Sequence, residues 1–177
     1  MKKNISILGS TGSIGLNVFK ILNKKKFFFK INLLAANENY KLICNQIIKY
    51  KPAVFLINNY KIYLKVEKKF RKKNIKIINK LSSKKIHLKK SDITIAAIPG
   101  IAGLAPTIEL IKKSKKILIA NKESIICGWD LIKRTASKNH TKIIPIDSEH
   151  FSIMKLLENH KVEDVKKIYL TASGGPF

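Results

Sequence analysis

The stretch "NISILGSTGSIGLNVFKILN" (residues 4–23) decides the fold. Asn4–Gly9 is a short apolar run ending in glycine, the length and composition of a buried strand. Ser13–Asn23 places Ile14, Val18, Ile21 and Leu22 at helical spacing. Between them Gly9, Gly12 and Gly15 make a GxxGxxG turn. At a strand-to-helix junction glycine permits a tight turn and close backbone approach. The free amides and the dipole of the following helix then attract a pyrophosphate. A plain βα turn built from small residues meets the same description, so the motif acquires meaning only from its position at the first junction of the chain.

Working outward, the same alternation repeats. Strands are expected at Lys30–Ala36, Ala53–Asn58, Ile75–Ile78, Asp92–Ile98, Lys116–Ala120, Lys142–Ile146 and Lys166–Ser173. Helices are expected at Tyr40–Lys51, Ile62–Lys72, Gly103–Lys113, Ser124–Ser137 and Phe151–Asn159, while Leu81–Lys90 is polar and fits neither pattern. Repeated β–α units predict a Rossmann-like α/β fold, a doubly wound, mostly parallel sheet with helices on both faces. Pro145, inside the strand Lys142–Ile146, cannot donate to a ladder and predicts an edge strand or strand end.

The formal charge of +25 raises the question of nucleic acid. Of 36 basic residues only Arg71 and Arg134 are arginines, whereas phosphate and base recognition favours the bidentate guanidinium. The lysines are spread along the chain, and the excess of Lys goes with 30 Ile and 14 Asn, three residues that share A/T-rich codons. Codon bias thus accounts for the charge, and no nucleic-acid partner is expected. Cys44 and Cys127 stand far apart and read as buried thiols of a reducing compartment. No apolar segment follows the Met-Lys-Lys start and no run reaches a membrane span, so a cytoplasmic protein with no membrane partner is expected.

Further polar groups stand at strand ends, where open α/β sheets bind ligands. Glu38 follows the second strand, where an acidic side chain accepts from an adenosine ribose 2′-hydroxyl; by itself it favours NAD over NADP. Asn121, Lys122 and Glu123 follow the strand Lys116–Ala120; they also suit a helix start, with Asn121 as N-cap. Asp147 and Glu149 in "PIDSEH", if extended, project to one face, and two such carboxylates suit a hard divalent cation. Capping by Asp147 or Ser148 is the competing reading. In "TASGGPF" (residues 171–177), Ser173 and two glycine amides can form an anion nest or a plain turn.

Taken in order, "GSTGSIG", "AAIPGIAGL", "ANKES", "IDSEH" and "SGGPF" resemble the 1-deoxy-D-xylulose 5-phosphate reductoisomerase family over residues 4–177. The resemblance implies rearrangement of 1-deoxy-D-xylulose 5-phosphate and its reduction to 2-C-methyl-D-erythritol 4-phosphate, an isoprenoid-precursor step using NADPH and Mg²⁺ or Mn²⁺. It assigns Thr11, Gly12, Ser13 and Ile14 to the cofactor pyrophosphate and Asn37, Glu38 and Asn39 to the adenosine-ribose loop. Asn121 and Glu123 approach the cofactor. Lys122, Ser148, Glu149 and Ser173 contact a sugar phosphate, and Asp147 and Glu149 are metal ligands. Asn37 stands where the family usually has glycine, and asparagine can also adopt a positive φ. The resemblance divides the chain into an NADPH-binding domain, residues 1–146, and the beginning of a second α/β catalytic domain, residues 147–177. The family's third metal carboxylate, flap and C-terminal helical domain fall beyond Phe177. The expectation is therefore the N-terminal part of a homodimeric enzyme from a truncated or split gene. Such a chain binds cofactor without turnover unless a separate C-terminal fragment completes it. A non-catalytic dinucleotide-binding fragment is the alternative.

Overall fold

The structure, a computed structural model, describes residues 1–81 and 88–169. Seven strands form its one sheet among the described residues: β1 (Lys3–Leu8), β2 (Phe29–Ala36), β3 (Val54–Ile57), β4 (Lys76–Ile78), β5 (Ser91–Ala96), β6 (Ser114–Ile119) and β7 (Lys142–Pro145). Their helices are α1 (Ser13–Lys24), α2 (Tyr40–Tyr50), α3 (Tyr60–Phe70), α4 (Leu104–Ile111), α5 (Lys122–Lys138) and α6 (Ser148–Leu156). The strand order is β4-β3-β2-β1-β5-β6-β7, and every pairing is parallel. The chain winds outward from β1 to β4, returns to the far side of β1, and winds outward again to β7. Pro145 lies on this outer strand, where a missing N–H costs no ladder bond.

Reversal of the winding direction puts the helices before it and the helices after it on opposite faces. One core packs Phe19 and Leu22 of α1, Ile43 and Ile47 of α2, and Val66 and Phe70 of α3 on the sheet. The other packs Leu110 and Ile111 of α4 and Ile132 and Ala136 of α5 on Leu8, Leu33, Ile117 and Ile119. Between β1 and β2 the register slips at Ile5/Ser6 and passes over Asn32. That buried amide donates to the Lys89 carbonyl (2.7 Å) and the Ser91 hydroxyl (2.8 Å), so the irregularity leaves it satisfied. Among the described residues no helix is long and apolar enough to cross a membrane.

Four details depart from the sequence reading. The core face of α1 is Gly15, Phe19 and Leu22, and Ile14 and Ile21 are exposed, because the close approach of Gly15 to the glycine turn sets the helix rotation. Cys44 is buried as expected, but Cys127 is exposed on α5. Helices α5 and α6 begin two and three residues earlier than their apolar spacing suggests, since the side chains of Asn121 and Asp147 cap the amides of Ser124 and His150. Lys166–Tyr169 carries no strand pairing, and the remainder of that expected strand, Ser173 included, lies outside the described residues.

Asp92 ties the amino ends of three central strands together. Its carboxylate accepts from Lys115 Nζ of β6 (2.7 Å) and from the Asn4 amide of β1 (2.8 Å). The Lys115 hydrogen bond first, then the Asn4 amide, hold its pKa below the ordinary aspartate range against the opposing effect of burial. A depressed folded-state pKa stabilises the fold above the unfolded value of about 3.9, and that contribution is lost as the pH falls through the lower folded value. Asp92→Asn is therefore expected to lower Tm at pH 7, with the difference from the parent chain shrinking progressively below about pH 4; thermal unfolding followed across this range checks it.

Candidate functional site

In an open parallel sheet the strands flanking the reversal of winding leave a crevice at their carboxyl ends. Here those strands are β1 and β5, and the loops after β1, β5, β6 and β7 enclose a cleft of about 470 Å³. Nine of the residues singled out in the sequence line it: Gly12, Ser13 and Ile14; Asn121, Lys122 and Glu123; and Asp147, Ser148 and Glu149. Ala97, Ile98 and Pro99, from the "AAIPGIAGL" stretch, form its apolar side.

The glycine turn is held from behind. The Gly9 and Ser10 amides both donate to the Ala35 carbonyl of β2, at 3.0 and 2.8 Å, and Gly9 has φ +82°. The Ser10 hydroxyl donates to Gln46 Oε1 (2.7 Å), and Gln46 Nε2 donates to the Ser10 carbonyl (2.8 Å). A Cβ on Gly15 would overlap the Gly9 carbonyl oxygen, whereas one on Gly12 would sit 3.5 Å from the same atom, in ordinary contact. Gly12 is the N-cap of α1 and provides no side-chain cap, so the first helical amides keep their anion-binding capacity.

At the end of β2, Asn37, Glu38 and Asn39 are all exposed. Asn39 caps α2 through the Leu42 amide (3.1 Å), and Asn37 Oδ1 accepts from Asn58 Nδ2 (3.4 Å). Asn37 does not use the left-handed conformation; among the described non-glycine residues only Lys51 and His140 do.

Asn121 is buried, and its whole amide is engaged inside the protein. Oδ1 accepts from the Ser124 amide (2.9 Å), and Nδ2 donates to the carbonyls of Ile98 and of Gly100, the latter at 2.8 Å. It fastens the loop after β5 to the start of α5. Lys122 and Glu123, the first two residues of that helix, remain exposed.

Asp147 is extended and Glu149 lies in the first turn of α6, so the two are not alternate residues of a strand, yet both face the same cleft. Asp147 Oδ1 accepts from the His150 amide (3.0 Å) and bonds His150 Nδ1 (2.6 Å). Burial pushes this carboxyl upward, but the His150 amide and ring outweigh it and hold the pKa below the usual range. Glu149 Oε2 accepts from the Ser148 hydroxyl (2.9 Å), and Lys122 Nζ lies 3.6 Å from Oε1. Its own backbone amide, then Ser148, then Lys122 hold Glu149 low as well. Both carboxylates are thus charged at neutral pH, as a hard cation requires. Both His150 bonds fall on Oδ1, leaving Oδ2 clear of them. Among the described residues no group of three His, Cys, Asp or Glu could hold a metal. A pair of oxygen donors fits Mg²⁺ or Mn²⁺, which bind one or two carboxylates and take their other ligands from substrate or water.

The sequence reading missed Gln46 and His150 as partners of site residues. The signal for Gln46 was a lone amide among Ile43, Cys44 and Ile47 on the buried side of α2. That for His150 was its position three residues after a capping aspartate.

Comparison with known proteins adds sequence kinship to this geometry. Residues 5–128 match the family profile of 1-deoxy-D-xylulose 5-phosphate reductoisomerase, and residues 143–177 match the profile of that enzyme's C-terminal domain. The 1-deoxy-D-xylulose 5-phosphate reductoisomerase of Pelagibacter ubique is 46% identical over 99% of this chain. This chain spans about half the length of the curated relatives it matches, 46% in that case. The solved reductoisomerase of Zymomonas mobilis in complex with NADPH superposes with a TM-score of 0.75 at 26% identity, covering 84% of this chain and 40% of the other. A reductoisomerase structure with NADPH, fosmidomycin and magnesium gives 0.74 at 30% identity, over 84% and 37%. The profile match across most of the sheet shows that this chain belongs to the 1-deoxy-D-xylulose 5-phosphate reductoisomerase family.

Proposed function

We propose that this chain supplies the NADPH-binding part and one side of the metal and substrate site of a 1-deoxy-D-xylulose 5-phosphate reductoisomerase. In that reading residues 1–146 bind the dinucleotide and residues 147–177 begin the catalytic domain. The observation that carries it is one cleft lined both by the glycine turn and by the Asp147/Glu149 pair. A cofactor and a cation bound there lie against the same substrate. Turnover belongs to the assembled enzyme, homodimeric as the family resemblance implies, with the remaining family length on this or on a separate polypeptide.

The residues divide the work. Thr11, Gly12, Ser13 and Ile14 hold the pyrophosphate with backbone amides at the positive end of α1. Asn37, Glu38 and Asn39 line the adenosine-ribose loop. The Asn121 amide keeps the loop after β5 against α5, and with Glu123 it borders the nicotinamide side. Lys122 binds the anionic sugar phosphate while limiting the repulsion of Glu149 for it. Ser148 orients substrate and shares its hydroxyl with Glu149, and Ser173 is the expected further substrate contact. Asp147 and Glu149 would hold Mg²⁺ or Mn²⁺, which when bound supplies Lewis-acid polarisation of a substrate carbonyl; NADPH supplies the hydride.

Glu38 favours a second reading of the cofactor, because a carboxylate repels a 2′-phosphate. NADPH and NADH fluorescence titrations of the chain decide it. Tighter binding of NADPH is expected, and clear preference for NADH would overturn that choice.

Two variants test the site against the fold. Gly12→Ala has room for its methyl group against the protein but places it where the pyrophosphate must approach. It should keep the parent Tm and lose about tenfold in NADPH affinity, equivalent to some 1.4 kcal/mol. Asp147→Asn keeps a good N-cap while removing charge, whereas Asp147→Ala removes both. Mn²⁺ binding followed by electron paramagnetic resonance should weaken by about tenfold or more in both. Only Asp147→Ala should also lose about 1 kcal/mol of stability.

A further inference from the structure

We propose that Gln46 is the positioning residue of the cofactor site, aiming the glycine turn at the pyrophosphate and fixing it relative to the adenosine-ribose loop. The inference rests on reading the glycine turn as a pyrophosphate cradle.

Gln46 is a polar residue on the buried side of α2, beside Ile43, Cys44 and Ile47, and is 4% exposed. A buried amide in apolar surroundings is costly unless paired. This one is paired twice, and both bonds go to a single residue 36 positions away, the buried Ser10. The Ser10 hydroxyl donates to Oε1, and Nε2 donates to the Ser10 carbonyl. The Ser10 amide goes to the Ala35 carbonyl. Every polar atom of Ser10 is thereby bonded to the β2–α2 unit.

The consequence reaches the ligand through peptide geometry. In a trans peptide the carbonyl and the following N–H point in opposite directions. With the Ser10 carbonyl held toward Gln46, the Thr11 N–H is directed away from α2, and it has no partner among the described residues. Rotation of that plane would turn a carbonyl oxygen, in place of an amide, toward an arriving phosphate. The same contact joins the two cofactor loops. Gln46 sits on the helix that Asn39 caps, so the pyrophosphate turn and the ribose loop move as one body.

Gln46→Glu keeps an acceptor for the Ser10 hydroxyl but loses the donor to the Ser10 carbonyl; Gln46→Met is close in shape and loses both. The 177-residue chain and each variant are titrated with NADPH and with 2′-AMP, which lacks a pyrophosphate, at a temperature where circular dichroism shows each to be folded. The expected result is about a tenfold loss for NADPH with 2′-AMP affinity changed less than twofold. Unchanged NADPH affinity in a folded variant would overturn the inference, as would equal losses for the two ligands, which mark a general structural role. Should both Gln46 variants fail to fold, Ser10→Ala tests the contact from its other end, with a loss of a few fold expected for NADPH alone and no loss overturning the proposal. Failure of the parent chain to bind NADPH would instead overturn the reading of the site itself.

Discussion

The structure depends on the reversal of winding direction at β1. A right-handed crossover allows helices to cover one face while the chain moves one way and the other face once it turns back. At the turning point neither set of crossover loops can close over the carboxyl ends of β1 and β5. The crevice between them is thus a consequence of topology. What the sequence adds is its lining: small residues after β1, an apolar loop after β5, and polar helix starts after β6 and β7. The turn after β1 and the start of α5 lead into helices whose other face is anchored in one of the two cores, whereas α6 buries no residue of its own.

Much of this is legible in the sequence because the physics is local. Apolar runs of strand length, helical spacing between them and glycine at the first junction fix the α/β alternation, and Pro145 marks its outer strand. Errors arise where a side chain acts across sequence distance or overrides spacing. The early starts of α5 and α6 are set by the carbonyl of Asn121 and the carboxylate of Asp147, which satisfy helix amides before the apolar periodicity begins. The exposure of Ile14 follows from the contact of Gly15 with the turn behind it, which periodicity does not register. Gln46 was missed for the same reason: a lone amide among the apolar positions of α2 marks it locally, but its partner lies 36 residues away and nothing local names it.

Several candidate ligands turned out to have structural duties. Asn39, Asn121 and Asp147 each cap a helix, and the amide of Asn121 is entirely consumed by the protein. The structural and the functional readings of these residues are therefore not alternatives. Helices of a parallel sheet begin at the carboxyl ends of its strands, where ligands bind, so a capping side chain stands at the rim of the site by construction. Such a residue acts on a ligand by setting the direction of a loop or the orientation of a helix terminus, and its own polar atoms need not touch it.

Asp147 carries this furthest, since in the proposed site capping and cation binding would draw on different oxygens of one carboxylate. The His150 amide and ring both engage Oδ1, which fixes the rotamer and lowers the pKa, while Oδ2 carries neither bond. The cap thus maintains a charged oxygen in a set position at the cleft before any cation arrives. That geometry reduces the ordering cost of binding, as a well-placed second partner does for a ligand carboxylate. Glu149 is prepared in a different way, with Ser148 on one oxygen and Lys122 near the other, and it stays exposed and adjustable. In the proposed site, one fixed and one adjustable carboxylate would suit a cation that must keep contact with a substrate changing shape. The helix start that competes with a metal site in the sequence is thus compatible with the proposed one, because the cap holds a carboxylate oxygen in place for it.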